Sequence, residues 1–171
     1  MFGRWSRIVP IGCILWISLA SAGARDECAR ILRAQRNLPT IRLCWAPKRC
    51  ITVEVAATPR SRQYGLMCRD RLDRHRGMLF VFPREDFWTF WMKNTRIPLD
   101  IVWLDPYRRI TYMIPDVPPC RKDPCPTYRP MKKARYVLEV RAGSIRRWHW
   151  DLGLQFDFIW PPDEQEKKNE K

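Results

Sequence analysis

The chain has 171 residues, with 32 Lys and Arg against 18 Asp and Glu, a formal net charge of +14 and 46% hydrophobic residues. That hydrophobic share supports a packed core and excludes a disordered polar chain, and the length suits one domain. So positive a surface is drawn to anionic polymers, lipid headgroups or acidic envelope material, whereas the lack of a recognised nucleic-acid motif and the spread of the basic residues along the chain argue against nucleic acid as partner.

The chain opens with Arg4 and Arg7, followed by an apolar run over residues 8–19 that Pro10 and Gly12 interrupt. Small residues follow as Ala20-Ser21-Ala22 and Ala22-Gly23-Ala24. This order reads as a signal peptide over residues 1–24, because the run is shorter than the roughly 20 residues a spanning helix needs and ends at A-x-A sites. A lipid-modified Cys13 is the rival reading, disfavoured by the preceding Pro10-Ile11-Gly12. Cleavage after Ala24 removes 24 of the 171 residues and two arginines, leaving 147 residues with a charge of +12. The expected location is therefore the periplasm or the exterior, with no transmembrane segment after cleavage.

Cys13 would leave with the leader, and Cys28, Cys44, Cys50, Cys68, Cys120 and Cys125 would remain. An even count in an exported chain predicts disulfides, although sequence alone permits fifteen pairings. The close spacings favour Cys44–Cys50 and Cys120–Cys125, which leaves Cys28–Cys68. Zinc is the competing use of these residues. The spacing is not C-x₂-C and only His75 and His149 could assist, so no metal and no cofactor are expected.

Residues 25–50 read as a cysteine-containing extension: a short amphipathic helix over residues 25–36, then a turn at Pro47. Period-two alternation over residues 51–57 predicts a half-buried strand, and Thr58-Pro59 caps a short helix over residues 59–64 that stops at Gly65. Strands follow over residues 78–82, 87–93, 98–104 and 109–114, the last two joined as a hairpin across residues 105–108. After a proline-rich loop over residues 115–133, strands over 135–141 and 154–160 flank a helix over 144–152. The main domain then spans residues 51–160, and 161–171 form a disordered charged tail. About seven strands with two or three short helices predict a mainly β fold, a compact antiparallel β-sandwich or barrel-like domain.

Several segments fall in a recognisable order: Gly65-Leu66-Met67, residues 77–82, Phe90-Trp91-Met92-Lys93-Asn94-Thr95, residues 97–101, Leu104-Asp105, Pro119-Cys120, residues 123–126, residues 134–140 and Ala142-Gly143. From about residue 51 to 158 the chain resembles the prokaryotic "domain of unknown function 192" family. The resemblance implies a compact β-sandwich, often exported, with no established activity. Cys68 stands where the family more usually has an aromatic, and Cys28, Cys44 and Cys50 lie outside the shared region, which suggests an added staple.

The polar residues that could carry chemistry are Lys93, Asn94, Thr95, Asp100 and Asp105, with Trp91 as an exposed aromatic platform. A lysine desolvated beside Trp91 would have a lowered pKa and could act as base or nucleophile with Asp100 nearby. The structural alternative, which the sequence favours, makes Lys93–Asp100 an ion pair clamping a turn that Asn94 and Thr95 cap. Trp88, Trp103, Trp148 and Trp160 read as core, and Trp45 and Trp150 are unplaced. His75 and His149 have no sequence-defined partner, and neither G-x-S-x-G nor H-E-x-x-H is present. Two functions remain open. The preferred one is a non-catalytic envelope binding module that takes an anionic polymer, peptide or envelope protein on a basic, aromatic surface. The other is an enzyme that uses Lys93, Asn94 and Asp100 on an anionic or carbonyl substrate.

Overall fold

The computed structural model describes residues 15–161. Residues 1–14, where the expected signal peptide begins, and residues 162–171 of the expected tail lie outside them. A helix α1 (Leu15–Ala34) leads into β1 (Thr40–Ala46) and β2 (Arg49–Ala56), then α2 (Pro59–Tyr64) and β3 (Arg76–Asp86). Next come β4 (Phe90–Trp91), β5 (Leu99–Leu104), β6 (Ile110–Val117), β7 (Thr127–Tyr128), β8 (Ala134–Arg141), α3 (Ser144–Trp148) and β9 (Asp157–Ile159). Seven strands form one sheet in the order β6-β5-β8-β3-β2-β1-β9, and β4 pairs with β7 in a small second sheet. The fold is mainly β and sandwich-like, and the sheet does not close into a barrel.

All but one pair of neighbours in the large sheet are antiparallel. The exception is β2 with β3, which run parallel from Thr52↔Arg76 to Ala56↔Phe80. A parallel pair needs a crossover rather than a hairpin, and α2 with the loop to residue 75 supplies it. Thr58 starts α2 with a capping box, its hydroxyl accepting the Ser61 N–H while the Ser61 hydroxyl accepts the Thr58 N–H.

The central strands are covered on both faces, and the pleat sorts them into two cores. Leu79, Val102, Leu138 and Val140 pack on one face with Trp150 and Phe156, while Met78, Phe80, Ile101, Trp103 and Val137 pack on the other with Leu66 and Met92. Every residue of β5 is buried. At Gly77 the strands approach so closely that a Cβ would meet the Glu139 carbonyl oxygen at 2.7 Å. Helix α1 docks by its C-terminal half: Ile31 packs on Met67 and Cys68, and the Gln35 amide donates to the Gly65 carbonyl at 2.7 Å. Its cysteine joins the loop after α2 as Cys28–Cys68, and Cys44–Cys50 and Cys120–Cys125 are the other two bridges. No helix among the described residues is long and apolar enough to cross a membrane.

Local expectations fail in four places. The strand expected over 87–93 shrinks to β4, because the Asp86 carboxylate accepts the Phe87 N–H at 2.9 Å and Trp88 folds back to stack on Phe82 at 4.0 Å. Helix α3 stops at Trp148, where His149 takes a left-handed φ of 54° and Trp150 turns into the core. Trp160 lies beyond the end of β9 and is 56% exposed, not core. Strand β1, read as a turn-bearing extension, pairs with β2 and β9 inside the sheet.

Candidate functional site

The structure disperses the pocket that the sequence assembled around Lys93. Asp100, fully buried on β5, accepts the N–H groups of Asp116 at 2.8 Å, Gly143 at 3.1 Å and Ile145 at 2.8 Å. Its charge is therefore spent on backbone, holding β6 and the first turn of α3 together. Lys93 pairs instead with Asp123 at 3.4 Å, in the Cys120–Cys125 loop, and its ammonium lies 5.7 Å from the centre of the Trp91 ring. The expected Lys93–Asp100 clamp is not formed. Asp105 sits at the other end of β5, roughly 17 Å along the strand from Asp100, where it accepts the N–H and the Nε–H of Arg109, both at 2.9 Å, and closes the β5–β6 hairpin.

In the turn, Thr95 bonds backbone through its side chain, whereas Asn94 engages through its main chain. Asn94 adopts a left-handed φ of 55°, a conformation its side chain tolerates, and its carbonyl accepts the Cys68 N–H at 2.8 Å. Thr95 is buried, its N–H bonded to the Met92 carbonyl and its hydroxyl directed to the Lys93 carbonyl at 3.4 Å. Trp91 is 45% exposed.

Two features emerge that the sequence did not single out. The first is a groove of about 520 Å³ around α3, lined by Arg74, Arg141, Arg146, Arg147, Trp148 and His149 and by no acidic residue. Arg146 reaches Asp116 at 3.4 Å. Among the described residues Arg74, Arg141 and Arg147 form no ion pair. The staple from Asp100 to Gly143 and Ile145 fixes the turn that carries three of these arginines. Trp148 is held in turn by Trp45 and Trp150, with ring centres 5.3 and 4.9 Å away.

The second is Glu139. It lies on β8 opposite Met78 of β3 and Ile101 of β5, so its side chain shares their buried face, and it is only 4% exposed. No hydrogen bond from a described residue reaches its carboxyl. A cationic influence on it comes from Arg69, which is already bonded to both oxygens of Glu54 at 2.6 Å and to the side chain of Gln35, just past the end of α1. Burial pushes the Glu139 carboxyl from its ordinary 4.5 up to about 8, and Arg69 opposes the rise. Glu139 lines a cavity of about 30 Å³ with Tyr64, Gly65, Phe80, Phe90, Trp91 and Thr95 among its walls. Gly65 makes that close wall possible: its φ is +46°, and a Cβ there would press on the Phe80 ring at 3.1 Å. The sequence signal for Glu139 was Val137, two residues earlier on the same face, since an apolar neighbour at i−2 marks that face as covered.

Comparison with known families finds a match of residues 43–158 to the model of DUF192, described as an uncharacterized ACR. A crystal structure of a Sinorhizobium meliloti 1021 protein, described as a candidate transcription regulator, is similar at 30% identity with a TM-score of 0.63, covering 71% of this chain and 94% of that one. A protein of unknown function from Novosphingobium aromaticivorans DSM 12444 is similar at 26% identity with a TM-score of 0.60, covering 72% of this chain and 85% of that one. No curated protein matches.

Proposed function

The chain belongs to the DUF192 family, and from that premise we propose that it is an exported, disulfide-stapled binding domain that holds an anionic envelope polymer in the arginine groove around α3. One observation carries the reading: four arginines and Trp148 converge on a single groove with no acid in its lining. Guanidinium groups present planar, paired donors to carboxylate, sulfate or phosphate oxygens, and an adjacent indole adds stacking area. A binder needs only this complementarity. The enzyme reading has less support, because Asp100 is committed to backbone amides and Lys93 to Asp123.

The test is retention of the mature chain on immobilised polygalacturonate and heparin, with duplex DNA as competitor. Affinity is expected to fall steeply as salt rises through the physiological range, and the double variant R74E/R147E should bind about tenfold more weakly with an unchanged melting curve. Salt-insensitive binding, or full binding by the double variant, would remove the groove from the account. Preferential capture of DNA would move the partner to nucleic acid.

Export rests on the leader pattern and the three bridges, and it carries its own expectation. The docking segment, from Cys28 of α1 to Gln35 just past its end, lies beyond both candidate cleavage sites, so processing leaves the staple intact. Intact mass of protein recovered from the periplasm or medium should show loss of the first 22 or 24 residues and no free thiol before reduction. An unprocessed chain with all its thiols reduced contradicts export.

A further inference from the structure

We propose that the cleft between Trp91 and Glu139 is a second binding site, separate from the arginine groove, which takes a neutral polyhydroxylated ring by stacking it on Trp91 and inserting one hydroxyl towards Glu139. The cavity beneath Trp91 measures about 30 Å³, which is room for one or two water-sized groups. It therefore admits a hydroxyl and not a whole ring, and the ring must rest outside, where Trp91 is 45% exposed.

The chemistry of the walls selects the group that enters. Glu139 is more than nine-tenths buried and has no hydrogen-bonding partner among the described residues, a costly state unless water or a ligand satisfies it. In its acid form a carboxyl offers one donor and one acceptor, the same complement as an alcohol. Burial keeps that form through neutral pH. An ammonium group is disfavoured, because the charged groups around the cleft are mainly cationic. Arg62 of α2 is on its wall, donating to the Val81 carbonyl at 3.0 Å. Arg69 is held by Glu54, and Lys93 keeps its ammonium 5.7 Å from the centre of the Trp91 ring, paired with Asp123. Tyr64 is the other titratable group of the wall. Tyr64, Phe80, Phe90 and Trp91 leave the rest of the lining aromatic, which suits the apolar C–H face of a sugar-like ring.

The probes are cellotetraose and the N-acetylglucosamine tetramer, titrated to about 20 mM into the mature chain and read by calorimetry and tryptophan emission. Saturable binding of at least one probe is expected at about pH 6. Trp91→Ala should weaken it about tenfold, and Glu139→Met, which removes donor and acceptor together, by a similar factor. Glu139→Gln keeps both functions and should bind within about threefold of the parent, and a cooperative melting curve for Glu139→Met separates a lost contact from failed folding. Between about pH 6 and 9.5 the parent should lose affinity as the acid form disappears, while Glu139→Gln stays level. No saturable binding by the folded parent, binding indifferent to Trp91→Ala, or preference for n-butylammonium with affinity rising with pH would each overturn the assignment. None of these outcomes bears on the polymer test of the arginine groove.

Discussion

Replacing Asp100 with alanine is expected to lower stability by about 4 kcal/mol, which most single domains of this size could barely tolerate. The carboxylate is wholly buried and accepts three backbone N–H groups drawn from two separate segments of the chain. Alanine leaves all three donors without a partner, and each such loss costs about 1–3 kcal/mol, moderated where water can enter. Asparagine keeps the volume but turns one acceptor into a donor that faces an N–H, so it should recover only part of the loss. Urea unfolding with an unchanged m-value measures the difference. A cost below about 1 kcal/mol would show that the amides find other partners. Asp105→Ala supplies the contrast: its bonds to Arg109 close an exposed hairpin, and a loss of about 1 kcal/mol is expected there. Because Gly143 and Ile145 orient the turn that bears Arg141, Arg146 and Arg147, Asp100→Asn should also weaken polymer binding.

Much of what depends on neighbours along the chain was legible in the sequence. The N-cap at Thr58, the hairpin at Asp105 and the alternating strands β2 and β8 follow from local pattern, and they form as expected. The short spacings of Cys44–Cys50 and Cys120–Cys125 gave the local bridges, and elimination gave Cys28–Cys68. What was not legible depends on where strands lie side by side. Periodicity cannot distinguish a parallel from an antiparallel neighbour, so the crossover through α2 escaped notice. Strand β1 was hidden because the turn at Pro47 and the two cysteines that flank it spoke louder than the alternation of Ile41 and Leu43. The same limit applies to the sites. Asp100 and Lys93 are seven residues apart and invite pairing, but a strand start and a loop direct them to different partners. Arg74 reaches the groove of Arg141 and Arg147 only because the loop before β3 ends near α3, which no local pattern states. Glu139 alternates along its strand with Leu138 and Val140, a pattern that by itself does not reveal that β8 is central and both of its faces are covered.

That placement leads to the second large effect: between about pH 5 and 8 the protein should lose stability as pH rises, and Glu139→Gln should abolish most of the slope. The sign follows from linkage. Burial raises the Glu139 carboxyl in the folded state to about 8 from 4.5, so over that interval the folded chain holds a proton that the unfolded chain has released. Stability then falls by about 1 kcal/mol per pH unit, to an accumulated loss on the order of 4 kcal/mol at pH 8. Below the unfolded value both states are protonated and the cost vanishes; above about pH 8 both are ionised and the loss stays constant. Glutamine is neutral throughout, so parent and variant should unfold at similar urea midpoints near pH 4.5 and diverge steadily towards pH 8, with the variant the more stable. Parallel profiles would mean that Glu139 is already ionised in the folded state, held by Arg69 more strongly than its burial opposes. In that case the acid form that the cleft requires for a hydroxyl would be absent too. The stability profile, measured without any ligand, thus decides whether the carboxyl beneath Trp91 is a neutral donor or a second anion competing with Glu54 for one guanidinium.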